Sequence, residues 1–248
     1  MKFEEFELER NQSLFEHEVD YNLSESGLHP LPLRSILTND EQQELLDTEL
    51  IYGYTTGTPI LREKISQLYT GADFDNVLAT CGSAEANFVA VMTLLEPGDE
   101  LIYMVPNYLQ IRGIARSFGI KVKELPLREE LGWQWDMKEL ESVISSKTKM
   151  IGVCHPNNPT GSIVSKENME KVIDIASEND CWILSDEVYR GAELNGIESP
   201  SFYGNYEKTI VNAGLSKAYR LPGLRVGWTV GPKAVSYTHL TLPTNREV

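Results

Sequence analysis

Short apolar segments alternate with amphipathic helical segments along most of this chain of 248 residues. Each apolar segment has the length of a buried strand, and the segments between them repeat apolar residues at helical spacing. This alternation is typical of a three-layer α/β/α protein, in which helices cover both faces of a mainly parallel sheet. We predict a seven-stranded sheet, with strands near residues 77–80, 100–105, 120–124, 149–153, 181–186, 208–212 and 225–230.

Three of the predicted helices carry apolar stripes that should face the core. The stripes are Phe88, Val91, Met92 and Leu95; Ile111, Ile114, Ala115 and Phe118; and Met169, Val172, Ile173 and Ala176. Two further helices have start signals. Thr58-Pro59 opens one, and Asp136 followed by Glu139 resembles a capping box for a helix through Ile144. The N-terminal region is less regular, with a short helix expected from Leu45 to Glu49.

The charge balance is strongly acidic, because 37 acidic and 22 basic residues give a net charge of −15. This argues against nucleic-acid partners and against anionic membrane surfaces. No apolar run reaches the length of a membrane span, and the N-terminus lacks the basic start and apolar core of a signal peptide. Cys81, Cys154 and Cys181 predict buried free thiols in a reducing compartment, with a spacing that fits no zinc site. We therefore expect a cytoplasmic protein without a metal.

One lysine lies in a small-residue turn within the run from Gly214 to Trp228. Lys217 can be held off the solvent there with its amine aimed at a bound carbonyl, as a Schiff-base lysine requires. Arg225 follows eight positions later and offers a fork of donors for a phosphate. Taken alone, the run also fits a solvated surface lysine, since most lysines are exposed.

An acidic residue ends the mostly apolar strand that begins at Cys181. Asp186 would lie at the carboxyl end of that strand, which is where open α/β sheets bind their ligands. Its carboxylate could hold a protonated ring nitrogen as an ion pair. Tyr189, three residues on, could reach the same ligand with its hydroxyl. The alternative is an aspartate that caps a helix.

Two turns follow other predicted strands. In the turn from His155 to Gly161, Asn158 precedes a proline, which favours an extended or turn conformation and permits a cis bond. Its amide could then donate to a phenolic oxygen. The turn Gly82-Ser83-Ala84 opens a helix whose free N–H groups would bind phosphate. An ordinary loop and a simple strand-to-helix turn are the alternatives.

Together these motifs resemble the fold-type I pyridoxal-phosphate enzymes, and specifically the class I and II aminotransferases. The ordered set is Gly82-Ser83-Ala84, Pro106-Asn107-Tyr108, Asn158-Pro159-Thr160-Gly161, Asp186-Glu187-Val188-Tyr189, Ser216-Lys217 and Arg225. Each motif is weak alone, but their order and spacing match the family from about residue 20 to about residue 232. The resemblance also implies that the last strand runs antiparallel to its neighbours.

The resemblance implies a role for each matched residue toward pyridoxal 5'-phosphate. Lys217 would bind the cofactor as a Schiff base and later move the Cα proton, while Asp186 would pair with the pyridinium nitrogen. Asn158 and Tyr189 would hold the phenolic oxygen, and Tyr108 would stack on the ring. The residues expected to hold the phosphate are Gly82, Ser83, Ala84, Ser216 and Arg225.

A second subunit is also implied. Tyr52, or alternatively Tyr54, resembles the tyrosine that reaches the phosphate of a neighbouring subunit. We therefore expect a homodimer with a shared active site. In the N-terminal arm, which crosses the active-site entrance in the family, Ser26 or Gly27 is expected to touch the substrate.

The resemblance divides the chain into an N-terminal arm at 1–50, a large cofactor-binding domain at 51–233 and a probable non-native tail at 234–248. The tail lacks a helical period and resembles translated vector sequence. Family members continue into a small domain that carries an arginine for the substrate α-carboxylate, and we find no candidate for it. We expect a truncated chain that folds poorly or turns over inefficiently. Gly214 also stands where the family often has a phosphate-binding serine.

The implied function is transfer of an amino group between an α-amino acid and a 2-oxo acid. The motifs indicate which cofactor is used, but they do not indicate which bond of the substrate breaks. A pyridoxal-phosphate-dependent amino-acid lyase, a cyclase similar to capreomycidine synthase, or an inactive fragment is therefore the alternative. A Rossmann dehydrogenase is disfavoured, because no Gly-x-Gly-x-x-Gly follows an early strand. A sensor domain of a transcription regulator is disfavoured, because no basic helix-turn-helix segment precedes the domain.

Overall fold

The computed structural model describes residues 3–233 and 235, and it shows one eight-stranded, mostly parallel sheet between helices. The strands are β1 (Val77–Cys81), β2 (Glu100–Val105), β3 (Lys121–Arg128), β4 (Gln134–Trp135), β5 (Thr148–Cys154), β6 (Trp182–Asp186), β7 (Thr209–Gly214) and β8 (Val226–Val230). Their order across the sheet is β1-β8-β7-β6-β5-β2-β3-β4.

Seven helices accompany the sheet in the described part of the chain. They are α1 (Glu7–Phe15), α2 (Asn39–Leu46), α3 (Pro59–Ser66), α4 (Ser83–Leu94), α5 (Gln110–Ser117), α6 (Met137–Val143) and α7 (Lys166–Glu178). Short 3₁₀ turns cover Leu33–Ser35, Phe74–Asn76, Glu129–Leu131 and Pro222–Leu224. None of the helices within the described ranges is long and apolar enough to cross a bilayer.

Alternating side chains along the central strands divide the core into two layers. On β2, Leu101 and Tyr103 pack with helices α4 and α5, whereas Ile102 and Met104 pack with α6 and α7. Successive strand residues point to opposite faces of a sheet, so the two helix pairs cover opposite faces. The predicted three-layer α/β/α arrangement is confirmed.

The strand predictions are confirmed in number and position, with one addition. All seven predicted strands are present, and β8 pairs antiparallel with both β1 and β7, as the resemblance implied. The sheet has eight strands and not seven, because the two-residue β4 adds an antiparallel edge to β3. Two residues are too short to show a period in the sequence.

The helix predictions need three corrections. The capping box at α6 is wrong, because Asp136 accepts from the Lys138 N–H while the Glu139 carboxylate pairs with Arg128 instead. The short helix expected from Leu45 to Glu49 is instead α2, which Thr38 opens with a complete capping box. Helix α1 was not predicted, since it buries no residue and shows no core-facing stripe.

Two further predictions concern the three cysteines and the C-terminal tail. Cys154 and Cys181 are buried free thiols as expected, but Cys81 is exposed at the end of β1. Burial raises the pKa of the Cys181 thiol to about 11. The predicted tail at 234–248 lies outside the described residues except for Val235, which packs at the edge of the core.

Candidate active site

The predicted site residues gather at one edge of the sheet. Strands β5, β6 and β7 are parallel, and their carboxyl ends lead to Asn158, Asp186 and Lys217 respectively. Strand β1 runs in the same direction, because both it and β7 pair antiparallel with β8, and it leads into α4 at Ser83. Segments separated by more than one hundred residues in sequence therefore meet where such sheets bind ligands.

Asp186 is buried at the end of β6, with 6% of its surface exposed. Its side chain accepts one hydrogen bond from Asn87 Nδ2 at 3.1 Å and another from the Val188 N–H at 3.2 Å. Burial raises the pKa of this carboxyl, although both hydrogen bonds oppose the rise. Asp186 is not a helix cap, so the alternative interpretation of this residue is wrong.

Asn87 and Asn212 form a buried amide relay behind Asp186, which the sequence analysis missed. Asn212 Nδ2 donates to Asn87 Oδ1 at 2.8 Å, and Asn212 Oδ1 accepts from the Thr229 hydroxyl. These side chains come from α4, β7 and β8, and all are almost fully buried. The relay orients the Asn87 amide so that its N–H points at the carboxylate of Asp186.

Lys217 contacts the N-terminal arm. Its Nζ lies 2.5 Å from Glu25 Oε1, and 27% of the lysine side chain is exposed. The next residue of the arm, Ser26, forms a 2.6 Å hydrogen bond with the hydroxyl of Tyr189. Lys217 and Tyr189 therefore face the same short segment, although neither Glu25 nor its contact was predicted from the sequence.

Tyr189 and Asn158 also share a cavity of about 480 Å³ with Ser26. Burial raises the pKa of Tyr189 to about 12, so its hydroxyl is a protonated hydrogen-bond donor at neutral pH. The peptide bond between Asn158 and Pro159 is cis, as the sequence allowed. The neighbouring Asn157 is buried and ties this loop to the Pro106 carbonyl at 3.2 Å.

The start of α4 and Arg225 form a corner rich in hydrogen-bond donors, which we call the anion corner. Gly82 has a φ of 79°, and a Cβ on it would lie 2.6 Å from Arg225 Nη2. The guanidinium therefore lies against the first turn of α4, where Ser83 and Ala84 are half-buried and the helix presents its free N–H groups. Ser216 is half-buried directly before Lys217.

Close backbone packing between strand β8 and the start of α4 supports the anion corner. A Cβ on Gly227 would lie 2.2 Å from the carbonyl carbon of Gly82 and 2.4 Å from the nitrogen of Ser83. Strand β8 can therefore approach the start of α4 only because position 227 has no side chain. Gly214, which stands where the family often has a serine, is buried in the same contact. A Cβ on Gly214 would lie 3.0 Å from the Val226 carbonyl oxygen.

Tyr108 lies at the end of β2 and packs against the N-terminal segment. Its hydroxyl donates to Glu9 Oε1 at 2.6 Å, and its ring meets Phe6 edge-to-face at 4.9 Å. Burial and the Glu9 carboxylate raise the pKa of the phenol. The ring is positioned by α1 and the preceding residues, which showed no pattern in the sequence.

Tyr52 and Tyr54 are not brought into the site of this subunit. Their exposed fractions are 98% and 67%, and they belong to a loop before α3 in which Thr56 accepts from the Ala79 N–H of the edge strand β1. Their assignment to a neighbouring subunit's phosphate stays a prediction.

Two buried titratable residues next to Asp186 have structural contacts. His155 accepts from the Val164 N–H at 3.0 Å and contacts the Pro200 carbonyl at 2.9 Å, which fits a neutral ring with its proton on Nε2. Burial lowers the pKa of His155 to about 4 and raises the pKa of Glu187 to about 7. Glu187 Oε1 accepts from the Phe202 N–H, so both residues fix the segment 199–202.

The residues fit pyridoxal 5'-phosphate on two observations. Asp186 is a buried carboxylate, and no cationic side chain within residues 3–233 forms an ion pair with it, so a protonated pyridine nitrogen would supply the missing partner. The corner of Arg225 and the start of α4 supplies donors for a phosphate. Lys217 and Tyr189 lie on the same edge of the sheet.

The fold is an α/β/α sheet protein that brings a lysine, a buried aspartate and the anion corner to one edge of its sheet. The chain belongs to the aminotransferase class I and II family, whose model matches residues 21–241. The match begins within the arm, at residue 21, and extends past residue 233.

Relatives and solved structures agree with this assignment. An aspartate aminotransferase of Pyrococcus horikoshii is 35% identical over 190 residues, covering 74% of this chain and 49% of the relative. An arginine–pyruvate transaminase of Pseudomonas aeruginosa is 29% identical over 191 residues, with the same coverage. The crystal structure of a pyridoxal-phosphate-dependent aminotransferase from Streptococcus suis superimposes with a TM-score of 0.88 and 36% identity, covering 95% of this chain and 64% of that one. The chain spans about half the length of the curated relatives that it matches.

Proposed function

We propose that the protein is a pyridoxal-phosphate-dependent aminotransferase that transfers an amino group between an α-amino acid and a 2-oxo acid. The observation that carries the proposal is the buried carboxylate of Asp186, which forms no ion pair within the described part of the chain and lies at the same sheet edge as Lys217. Relatives from several organisms are named as transaminases, which supports transamination over the lyase and cyclase alternatives.

Each residue has a distinct task in this proposal. The cofactor, when bound, supplies an electron sink for the α-carbon of the amino acid. Lys217 would hold it through its amine and afterwards carry the proton to and from the α-carbon. The Asp186 carboxylate would hold positive charge at the ring nitrogen, and the Asn87 relay would keep that carboxylate oriented.

The remaining residues would hold the other ends of the cofactor. Arg225 and the first turn of α4, which begins at Gly82 and Ser83, would bind the phosphate. Ala84 and Ser216 would complete that cradle. Tyr189 and Asn158 would donate to the phenolic oxygen, and Tyr108 would cover the ring face.

We further propose a homodimer in which Tyr52 reaches the phosphate of the neighbouring subunit. The near-complete exposure of Tyr52, together with that of Leu50 and Ile51, supports an interface on this loop, since large apolar patches on proteins mark contact surfaces. We also propose a cytoplasmic location, which the three free thiols support.

Borohydride reduction of the cofactor-loaded protein, followed by peptide mapping, tests the central assignment. Reduction makes the bond between the lysine and the cofactor permanent, so we expect a single modified peptide that contains Lys217. Lys233, which pairs with Asp73 away from the site, serves as an internal control for nonspecific labelling. A modified peptide that contains any other lysine would contradict the assignment.

A further inference from the structure

The arm loop, defined as residues 22–29, places a carboxylate directly against the lysine of the proposed site. Glu25 Oε1 accepts from Lys217 Nζ and from the Gly27 N–H, both at 2.5 Å. Ser26 joins the loop to Tyr189. Each contact comes from consecutive residues of one turn, so the loop meets the lysine and the tyrosine as a unit.

The chain also anchors the arm loop to the segment that carries Lys217. Arg220 Nε donates to the His29 carbonyl at 2.7 Å, and the Leu31 N–H donates to the Arg220 carbonyl at 3.0 Å. Residues 217 and 220 are joined by a turn in which the Arg220 N–H bonds to the Lys217 carbonyl. The arm loop is therefore held near the lysine by contacts of Arg220 that do not depend on the ion pair itself.

The carboxylate of Glu25 stays ionised at neutral pH. Burial raises its pKa, but the Lys217 ammonium and the backbone N–H groups of Gly27 and Ser26 outweigh burial and leave the pKa below its usual value. The Glu25 side chain is 45% exposed, so solvent screens part of its charge. The remaining electrostatic effect still acts on groups at the site.

The cavity beside the arm loop provides no opposite charge. Its walls include Asn158, Tyr189, Leu194 and Glu193, and no lysine, arginine or histidine is among the described residues that line it. The Glu193 carboxylate accepts from the N–H groups of Gly191 and Ser199. Among the described residues, a substrate group that enters this cavity meets the Glu193 carboxylate together with neutral polar and apolar side chains.

We propose that Glu25 is a specificity-determining residue that disfavours amino acids with an acidic side chain. The proposal rests on the proposed transamination. In that reaction class the substrate's amino nitrogen takes the position of the lysine nitrogen, so Glu25 would lie within a few ångströms of the substrate. A second carboxylate on the substrate is then repelled, whereas the uncharged amide of the same shape is not.

The test compares two substrates that differ only in this charge. The Glu25→Gln variant keeps an oxygen that can accept from the Gly27 N–H and removes the charge. We expect the ratio of kcat/KM for aspartate to that for asparagine to rise about tenfold or more, mainly through KM. The reaction is followed as the change in cofactor absorbance on mixing each amino acid with the loaded protein. Glu18→Gln, an exposed carboxylate of the same arm, is the matched control and should leave the ratio unchanged.

A second measurement does not depend on turnover. Because the Lys217 amine must leave its contact with the Glu25 carboxylate before it can reach the cofactor, Glu25→Gln should also load pyridoxal 5'-phosphate several-fold faster, measured from the absorbance that develops on mixing. Glu25→Asp, which keeps the charge on a shorter side chain, should give an intermediate loading rate and substrate ratio.

The outcomes separate the two proposals. Faster loading with a raised aspartate ratio supports the role of Glu25. Faster loading with an unchanged ratio, or no change in either quantity, overturns it while the aminotransferase proposal stands. Failure of the unsubstituted protein to attach the cofactor at Lys217 overturns the aminotransferase proposal, and the inference about Glu25 falls with it.

Discussion

At the scale of single residues, burial decides what the acidic groups of the site can do. Asp186 is buried, and within the described residues its carboxylate accepts from two neutral donors, Asn87 and the Val188 N–H. An ionised carboxylate in this environment is costly without a cation, and this cost is what raises its pKa. A protonated ring nitrogen would reverse the shift, so Asp186 and the cofactor would stabilise each other's charges.

Replacing Asp186 by Asn tests this reciprocal stabilisation. The amide has nearly the same shape but cannot hold positive charge at the ring nitrogen, so we expect α-proton removal to slow by roughly 100-fold or more. The measurement is the exchange of the substrate α-hydrogen in deuterated water, followed by NMR. Asp174→Asn, an exposed position on α7, is the control. Equal exchange rates in the Asp186 variant and the unsubstituted protein would contradict the assigned role.

Single residues also show what the sequence could not reveal. Asp186 and Asn158 were predicted because they stand at or after the end of an apolar strand, where ligand sites lie in this architecture. Lys217 was predicted because it lies in a small-residue turn. Asn87 and Glu25 gave no such signal. Asn87 is one polar residue in an apolar helix, and Glu25 is one of many acidic residues; their partners lie 99 and 192 positions away. Only the fold shows which distant side chains they meet.

At the scale of elements, apolar patterning explains which segments were predicted. Strands β5 and β6 are almost entirely buried, so their sequences are continuous apolar runs. Helix α1 buries nothing and has no apolar stripe to reveal it. Helix α2 did carry a signal, the Thr38 and Glu41 pair of its capping box. The two helices that the sequence analysis missed or misplaced, α1 and α2, bury no residue.

The contact between β8 and α4 should be intolerant of any side chain at position 227. Gly227→Ala would place a methyl group against the Gly82 carbonyl and the Ser83 nitrogen, where only rigid backbone lies. We expect a destabilisation of about 1–3 kcal/mol and a weaker cofactor affinity, because the start of α4 must move. Urea denaturation and cofactor titration measure the two effects.

The control for this substitution is Gly113→Ala on the neighbouring helix α5. A Cβ there meets nothing within 4 Å, so alanine should stabilise the helix by about 0.5–1 kcal/mol. Unchanged cofactor affinity in the Gly227 variant would contradict the view that β8 supports the anion corner.

The segment 199–202 is held to the sheet by two groups with opposite pH responses. The pKa of Glu187 is raised to about 7, so the folded protein binds the proton of this carboxyl more tightly than the unfolded chain does. The contribution of Glu187 to the free energy of unfolding therefore falls as pH rises from 4.5 to above 7. His155 has a pKa lowered to about 4, so its contribution is lost as pH falls from 6.5 toward 4. Each group changes the free energy of unfolding by about 1.4 kcal/mol for each unit of its pKa shift.

The Glu187→Gln variant separates these two responses. Glutamine removes the Glu187 contribution, which falls as pH rises, and keeps the His155 contribution, which rises with pH. The free energy of unfolding of the variant, relative to that of the unsubstituted protein, should therefore be greater at pH 8 than at pH 5. Urea denaturation at both pH values measures the difference. Glu178→Gln, at the exposed end of α7, should show no such dependence. A Glu187 difference that is the same at both pH values would refute the assignment of a buried acid.

At the scale of the whole molecule, the proposed site would bind a phosphate on a strongly acidic protein. The net charge of −15 creates a negative potential that opposes a phosphate at long range. Local donors, the Arg225 guanidinium and the N–H groups at the start of α4, have to exceed that repulsion over a few ångströms. Salt screens this long-range repulsion more than it screens the direct contacts between the phosphate and its donors.

The loop before α3 exposes large side chains that the proposed dimer would bury. Ile51 is 77% exposed and Tyr52 98% exposed, on a loop that packs beside the edge strand β1. In a two-fold dimer each substitution occurs twice in the interface. Burying an isoleucine contributes about 1.5–3 kcal/mol, so losing two such contacts should weaken association by 100-fold or more.

The Ile51→Asp variant tests the proposed dimer. We expect the unsubstituted protein to sediment as a dimer and the variant as a monomer at the same concentration, with a lower cofactor affinity because the partner's Tyr52 is lost. Leu131→Asp, which changes an exposed leucine next to β4 at the opposite edge of the sheet, should leave both properties unchanged. A monomeric unsubstituted protein that still binds the cofactor tightly would show that each subunit holds the phosphate with Arg225 and α4 alone.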